Sequence, residues 1–261
     1  MENIDLIRQE ARAIIKQAGE IILQEKRSLM KIVTKSNEFD LVTQLDLKIE
    51  KFLKEELSKL LPDSKFIAEE TDSKLKEYPL LWVIDPLDGT TNYVHNLPFF
   101  AVSVALMIDN RLELGFVYNP VMDEFFEAER GKGALLNGEK ISVSTTDELS
   151  KALLATGFGY NYETAEENNL KFFDHFLMKG HGIRRLGSAA IDLCYVACGI
   201  YGGYWEWYLS PWDVAAGILI VKEAGGKVSK IDDLPYNFGD LNILATNGKI
   251  HDRMVEEFSK V

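Results

Sequence analysis

Eleven consecutive residues, Trp82-Val83-Ile84-Asp85-Pro86-Leu87-Asp88-Gly89-Thr90-Thr91-Asn92, set two carboxylates around a proline turn at the end of an apolar run. The run supplies a rigid base, and the turn can aim both acids and the Leu87 carbonyl to one side. All three are hard oxygen donors, suited to Mg²⁺ rather than zinc. If Thr90-Thr91-Asn92 opens a short helix, its backbone N–H groups, with Gly89, form a seat for an anion. Asp-Pro-x-Asp-Gly is also ordinary surface-turn chemistry, with proline presetting φ and glycine accepting a positive one. Further acids stand in equally ambiguous places. Glu69-Glu70 follows a short β signal, where acidic pairs usually face water. Asp213 closes Ser210-Pro211-Trp212-Asp213 and Asp46 closes Thr43-Gln44-Leu45-Asp46, and both strings read as helix-capping boxes. Pattern alone leaves the structural and chemical readings of these acids open.

The elements that would position them follow from periodicity. Ile4, Ile7, Ala11, Ile14, Ala18 and Ile21 recur at three- and four-residue steps, predicting an amphipathic first helix. A second is expected over about 44–61, with Leu45, Ile49, Phe52, Leu57 and Leu60 on one face and Pro62 ending it. A charged, irregular stretch over 31–40 separates the two. Strand signals follow at 66–68, 80–84, 101–108, 112–118 and 124–128, with Asp109-Asn110 as a tight hairpin and 131–138 as turns. Beyond Thr145 helical patterns (163–178, 189–198, 212–224, 250–261) alternate with strand-like ones near Leu153, 203–207 and Ile243. The expectation is layered sheets and helices in two subdomains, 1–145 and 146–261, without a flexible linker.

The chain has 261 residues, 46% hydrophobic and 27% charged, enough for a sizeable core. Its apolar run 214–221 is too short to span a bilayer, and the N-terminus lacks a signal-peptide pattern. Cys194 and Cys198, sharing an apolar helical face, read as core packing in a reducing, cytoplasmic setting. The four histidines show no ligand spacing, and Tyr204-Trp205-Glu206-Trp207-Tyr208 reads as a packed strand with alternating faces. A net charge of −12 disfavours nucleic acid or anionic membrane as partner. It also demands a cation between any phosphate and so many carboxylates.

Asp85 through Tyr93, with Pro98 downstream, resembles a signature of the inositol monophosphatase family. Trp212-Asp213-Val214-Ala215-Ala216-Gly217 through Glu223-Ala224-Gly225-Gly226 resembles the second signature. Lys35-Ser36 with Asp40 through Thr43 and Asp46, and Ala68-Glu69-Glu70, match two further blocks. The resemblance implies a layered α/β/α/β/α sandwich of the sugar-phosphatase type, assembled as a homodimer. It implies two or three Mg²⁺ ions held by Glu69, Asp85, the Leu87 carbonyl, Asp88 and Asp213, with most of these ligands in the N-terminal subdomain. By the same resemblance Glu69, Thr90 and Asp46 act on the attacking water. Asp88, Gly89, Thr90 and Asp213, with Gly187, Ser188, Ala189 and Glu206, contact the phosphate or ring of a small phosphorylated polyol or sugar. The implied activity is lithium-sensitive, Mg²⁺-dependent hydrolysis of inositol monophosphate. The alternatives are fructose 1,6-bisphosphate or a 3′-phosphonucleotide as substrate, or a metal-dependent phosphate-binding protein without turnover. Full retention of Asp46, Glu69 and Thr90 argues against the last.

Overall fold

The computed structural model describes residues 4–25, 32–34, 41–71, 78–159 and 169–261. The N-terminal half runs α1 (Ile4–Gln24), β1 (Ile32–Thr34), β2 (Leu41–Thr43), α2 (Gln44–Leu60), β3 (Lys65–Ala68), β4 (Leu80–Asp88) and α3 (Thr90–Val94). It continues through β5 (Ala101–Ile108), β6 (Arg111–Asn119), β7 (Glu124–Glu129), β8 (Gly133–Leu136) and β9 (Glu139–Lys140). After a 3₁₀ turn (Leu149–Lys151) come β10 (Leu154–Thr156), α4 (Leu170–Leu177), β11 (Ile183–Arg184), α5 (Ala189–Ala197) and β12 (Gly203–Trp207). The chain ends with α6 (Pro211–Glu223), β13 (Lys227–Ser229), β14 (Asn242–Thr246) and α7 (His251–Phe258).

Two sheets carry the molecule. The larger has the order β3-β4-β5-β6-β7-β8-β9, and the smaller has β11-β10-β12-β14-β13. Side-chain alternation along the strands builds the layers. On β4, Trp82 and Ile84 join the core of α1 and α2, while Leu81 and Val83 turn to the core shared with α5 and α6. On β12, Tyr204 faces that same central core, whereas Trp205 and Trp207 meet Phe172, Phe176 and Phe258 from α4 and α7. The order of layers is therefore α1/α2, large sheet, α5/α6, small sheet, α4/α7. This is the α/β/α/β/α sandwich that the sequence resemblance implied. Helices α5 and α6 lie between two sheets, so all nine residues of α5 and every residue from Val214 to Val221 of α6 are buried. Both cysteines are free, Cys194 inside this layer and Cys198 at its margin.

Differences from the sequence expectations have local causes. The 131–138 segment expected as turns contains β8, paired to β7 through Ala128↔Ala134. Its strand is too short, and too closely bracketed by glycines, to show a period. On α2, Leu53 rather than Phe52 completes the buried face, and Leu60 is only partly covered. The helix expected over 163–178 is seen from Leu170, and 160–168 lies outside the described residues. Lys35 to Asp40 lies outside them as well. The Asp109-Asn110 hairpin forms as expected, with φ of 47° and 62° joining β5 to β6.

Candidate active site

The site begins with an irregularity in β4. Asp85 pairs with Ser103 and Asp88 with Ala101, so Pro86 and Leu87 stand opposite Val102 alone. In a regular strand residues three apart face opposite sides. One extra residue in the bulge reverses that parity and brings both acids to the same side. Proline suits the bulge because it has no N–H to contribute to the ladder. The Leu87 N–H turns back to Asp85 Oδ1 at 2.9 Å, fixing the carboxylate at the strand end.

Glu69 follows β3, the parallel neighbour of β4, and its N–H donates to Ile84 O at 3.3 Å. Asp213 comes from the start of α6. Its Oδ2 accepts the Ser210 N–H at 2.6 Å, so the capping box is real. That cap uses one carboxylate oxygen, and the residue also joins the acid centre. Burial first, then Glu69, Asp88 and Asp213, pushes the Asp85 carboxyl well above the ordinary range, against the lowering by the Leu87 N–H. Burial, Asp88 and Glu69 do the same to Asp213. Asp88 is raised by burial to about 6, although Ser188 and the Ala190 N–H pull it down.

The side-chain charges acting on Asp85 all come from other acids. Among the described residues no group of three or more His, Cys, Asp or Glu side chains is placed, as it stands, to hold a metal ion. The donor set is nonetheless suited to one. Four acids at one end of the sheet, supplying hard oxygens, repel one another, and a divalent cation would cancel that repulsion.

Asp46 sits beside this centre, where its burial sets it apart from an ordinary capping acid. A purely capping acid would stay wet, but Asp46 is 0% exposed. Its Oδ1 lies 2.9 Å from Thr90 Oγ1, which also approaches Leu87 O at 3.0 Å. A hydroxyl has one proton and two lone pairs. With that proton on Asp46, Thr90 can accept a hydrogen bond from a water.

A cleft opens in front, and Asp88, Gly89, Gly187, Ser188, Ala189, Glu206 and Asp213 are among its lining residues. Glu206 is 8% exposed, and Tyr204 Oη donates to its Oε2 at 2.5 Å. Burial raises its carboxyl to about 7, against the pull of Tyr204 and Arg185. Gly157 closes over it: a Cβ there would stand 2.0 Å from Glu206 Oε2, so only glycine leaves space for the carboxylate.

The whole chain, residues 3–261, matches the Inositol monophosphatase family. It belongs to that family. An inositol-1-monophosphatase of Synechocystis sp. is 44% identical over 91% of this chain and 83% of its own. Inositol monophosphatase 1 of Homo sapiens is 37% identical over 92% and 89%. The solved inositol monophosphatase of Anabaena (Nostoc) sp. PCC 7120 superposes with a TM-score of 0.89 at 38% identity, covering 99% of this chain and 97% of that one. The inositol monophosphatase family is metal-dependent, which agrees with the mutual repulsion of these acids.

Of the residues expected from the sequence, Asp88, Gly89, Gly187, Ser188, Ala189, Glu206 and Asp213 line this cleft. Glu69 and Asp85 are near enough to these acids to act on them by charge, and Thr90 bonds Asp46 and the Leu87 carbonyl. Three further residues near the cleft or its acids carried no expectation from the sequence. Glu50 of α2 is 1% exposed and accepts the Glu70 N–H at 2.8 Å, a Thr71 hydroxyl and Lys54 at 3.0 Å, so it tethers the Glu69-Glu70 turn. Its signal was an acid on the apolar face shared with Asp46, Ile49 and Leu53. Asp192, in the apolar run of α5, is 1% exposed, and burial, Glu206 and Asp88 push its carboxyl well up. An acid inside an apolar helix was again the available signal. Arg185 lines the cleft rim and acts against both rises, and nothing in its local sequence marks it.

Proposed function

We propose that this chain is a Mg²⁺-dependent phosphomonoesterase that hydrolyses inositol monophosphate to inositol and phosphate. The observation that carries the reading is the meeting of Glu69, Asp85, Asp88 and Asp213, with the Thr90–Asp46 pair beside them, at one end of a cleft. In this reading Glu69, Asp85, the Leu87 carbonyl, Asp88 and Asp213 hold two or three ions. When bound, Mg²⁺ neutralises the phosphate and lowers the pKa of a water. Thr90, its proton committed to Asp46, accepts a hydrogen bond from the attacking water and orients it, with Glu69 as the nearby base. The Gly89 and Thr90 N–H groups hold phosphate oxygens. Glu206, with Gly187, Ser188 and Ala189 around it, accepts ring hydroxyls and sets the ring's orientation.

The proposal extends to organisation. The two subdomains, 1–145 and 146–261, meet at the cleft, and two copies associate as a homodimer, testable by sedimentation. Free Cys194 and Cys198 fit a cytoplasmic location. Among the described residues no helix is long and apolar enough to cross a membrane. The function is tested by phosphate release from inositol monophosphate, fructose 1,6-bisphosphate and a 3′-phosphonucleotide, with Mg²⁺ and with EDTA. Rapid, EDTA-sensitive release from the first supports the reading. No release from any substrate would leave a binding protein.

A further inference from the structure

Asn92 lies in the signature turn, is not itself part of the cleft lining, and makes no hydrogen bond to the four acids. Its side chain is 6% exposed, and Nδ2 donates to Phe99 O at 2.6 Å and Leu186 O at 2.8 Å, with Gly187 O at 3.4 Å. An amide nitrogen has two protons, so the two shorter bonds use both. Leu186 and Gly187 lie far along the chain, in the lead-in to α5. They are pressed close: a Cβ on Gly89 would stand 2.8 Å from Phe99 O and 3.3 Å from Gly187 O. The asparagine therefore fastens this lead-in against the turn that carries Asp88, Gly89 and Thr90.

What the lead-in delivers is the start of α5. Ser188 Oγ donates to Asp88 Oδ2 at 2.6 Å, and the Ala190 N–H donates to the same oxygen at 2.7 Å. One oxygen of Asp88 is thus committed to α5 through two hydrogen bonds. We propose that Asn92 is a positioning residue for the metal centre. By docking the Leu186–Gly187 lead-in it places Ser188 and Ala190, and through them orients the Asp88 carboxylate that would hold Mg²⁺. The inference rests on the Mg²⁺ reading above.

A buried asparagine can also serve stability alone, and Asn119 provides the comparison. Asn119, 0% exposed, donates to Pro98 O at 2.8 Å and accepts from the Val121 and Met122 N–H groups. None of those partners belongs to 186–190. The pair supports a direct comparison by titration calorimetry with Mg²⁺ on the full-length wild type, Asn92→Ala, Ser188→Ala and Asn119→Ala, each checked by thermal melting.

Residues that orient metal ligands typically contribute ten- to a hundred-fold in affinity. Asn92→Ala and Ser188→Ala should each weaken Mg²⁺ binding by about that factor. Asn119→Ala should lower the melting temperature and leave Mg²⁺ affinity unchanged. A folded Asn92→Ala with wild-type affinity overturns the inference, and so does an Asn119→Ala that loses as much affinity as Asn92→Ala. If Asn92→Ala does not fold, Ser188→Ala decides, with unchanged affinity again the overturning result. A wild type that binds no Mg²⁺ would defeat the proposed function itself. Binding by the wild type with unaltered variants would defeat this inference alone.

Discussion

Thr90 Oγ1 and Asp46 Oδ1 stand 2.9 Å apart, buried, joining the first turn of α2 to the turn after β4 across 44 residues of chain. The geometry sets two roles for Asp46 against each other. If the acid only supports the helix start, Asp46→Asn should cost about 0.5–2 kcal/mol of stability and spare turnover. If it takes the Thr90 proton and so orients the attacking water, the amide keeps the shape but loses the accepting charge. We expect the second outcome, with kcat falling about 10²–10⁴-fold and little change in melting temperature. Thr90→Ala should fall similarly, and the double variant should be little worse than either single, because groups acting as a unit are not additive. Early melting with normal turnover would dismiss the pair.

Glu206 is hydrogen-bonded by Tyr204 and acts on Asp88 and Asp213 through charge, so its loss should fall mainly on ring binding. Glu206→Ala is expected to raise KM for inositol monophosphate about ten- to a hundred-fold, from about 1.5–3 kcal/mol of charge-assisted hydrogen bonding, and to spare a small aryl phosphate. Gly157→Ala should give the same selective loss, since its methyl would occupy the place of Glu206 Oε2. Equal losses on both substrates would assign Glu206 a structural or metal role.

Acid stability should depend on Glu257. Its side chain is 0% exposed, and burial alone would push its carboxyl up. Hydrogen bonds from Lys260, His175 and Lys179 at 2.9, 2.8 and 3.2 Å overcome that and hold it at about 2. A folded pKa below the unfolded one gives stability that is complete above the unfolded value, about 4.5, and fades as pH falls toward 2. Glu257→Gln should therefore lower stability at pH 7 and flatten its decline between pH 4.5 and 2, measured by urea unfolding. A decline as steep as that of the wild type would exclude Glu257 as its source.

How much of this was legible in the sequence depends on what each signal reports. The strand ahead of Asp85, the Asp109-Asn110 hairpin and the alternation of Tyr204 to Trp207 were readable because period and turn chemistry are local. The α/β/α/β/α order came through resemblance, since no periodicity states which sheet faces which helix. Asp46 and Asp213 could not be assigned from pattern, because a capping box and an active-site acid use the same residue at the same place. For Asp46, burial and the bond to Thr90 add a contact that a capping box alone does not require. For Asp213 the roles coexist, one oxygen capping α6 and the residue also joining the acid centre. Glu50, Asp192 and Arg185 escaped because their partners are distant in sequence, although the two acids had left a trace as charges on apolar helical faces.

The four-acid centre predicts a stability response that needs no substrate. Without a cation, Asp85 is buried among Glu69, Asp88 and Asp213, and this repulsion works against folding. Mg²⁺ binds the folded arrangement in preference to the unfolded chain, so it should raise the melting temperature, by an amount that grows with its concentration. Asp85→Asn removes one member of the cluster and keeps its shape. In EDTA this variant should melt at or above the wild-type temperature. In millimolar Mg²⁺ it should gain far less than the wild type and show almost no turnover. Differential scanning fluorimetry across a Mg²⁺ series reads both effects. A wild type indifferent to Mg²⁺, or an Asp85→Asn variant that gains as much as wild type, would show that the ion is not held by these acids.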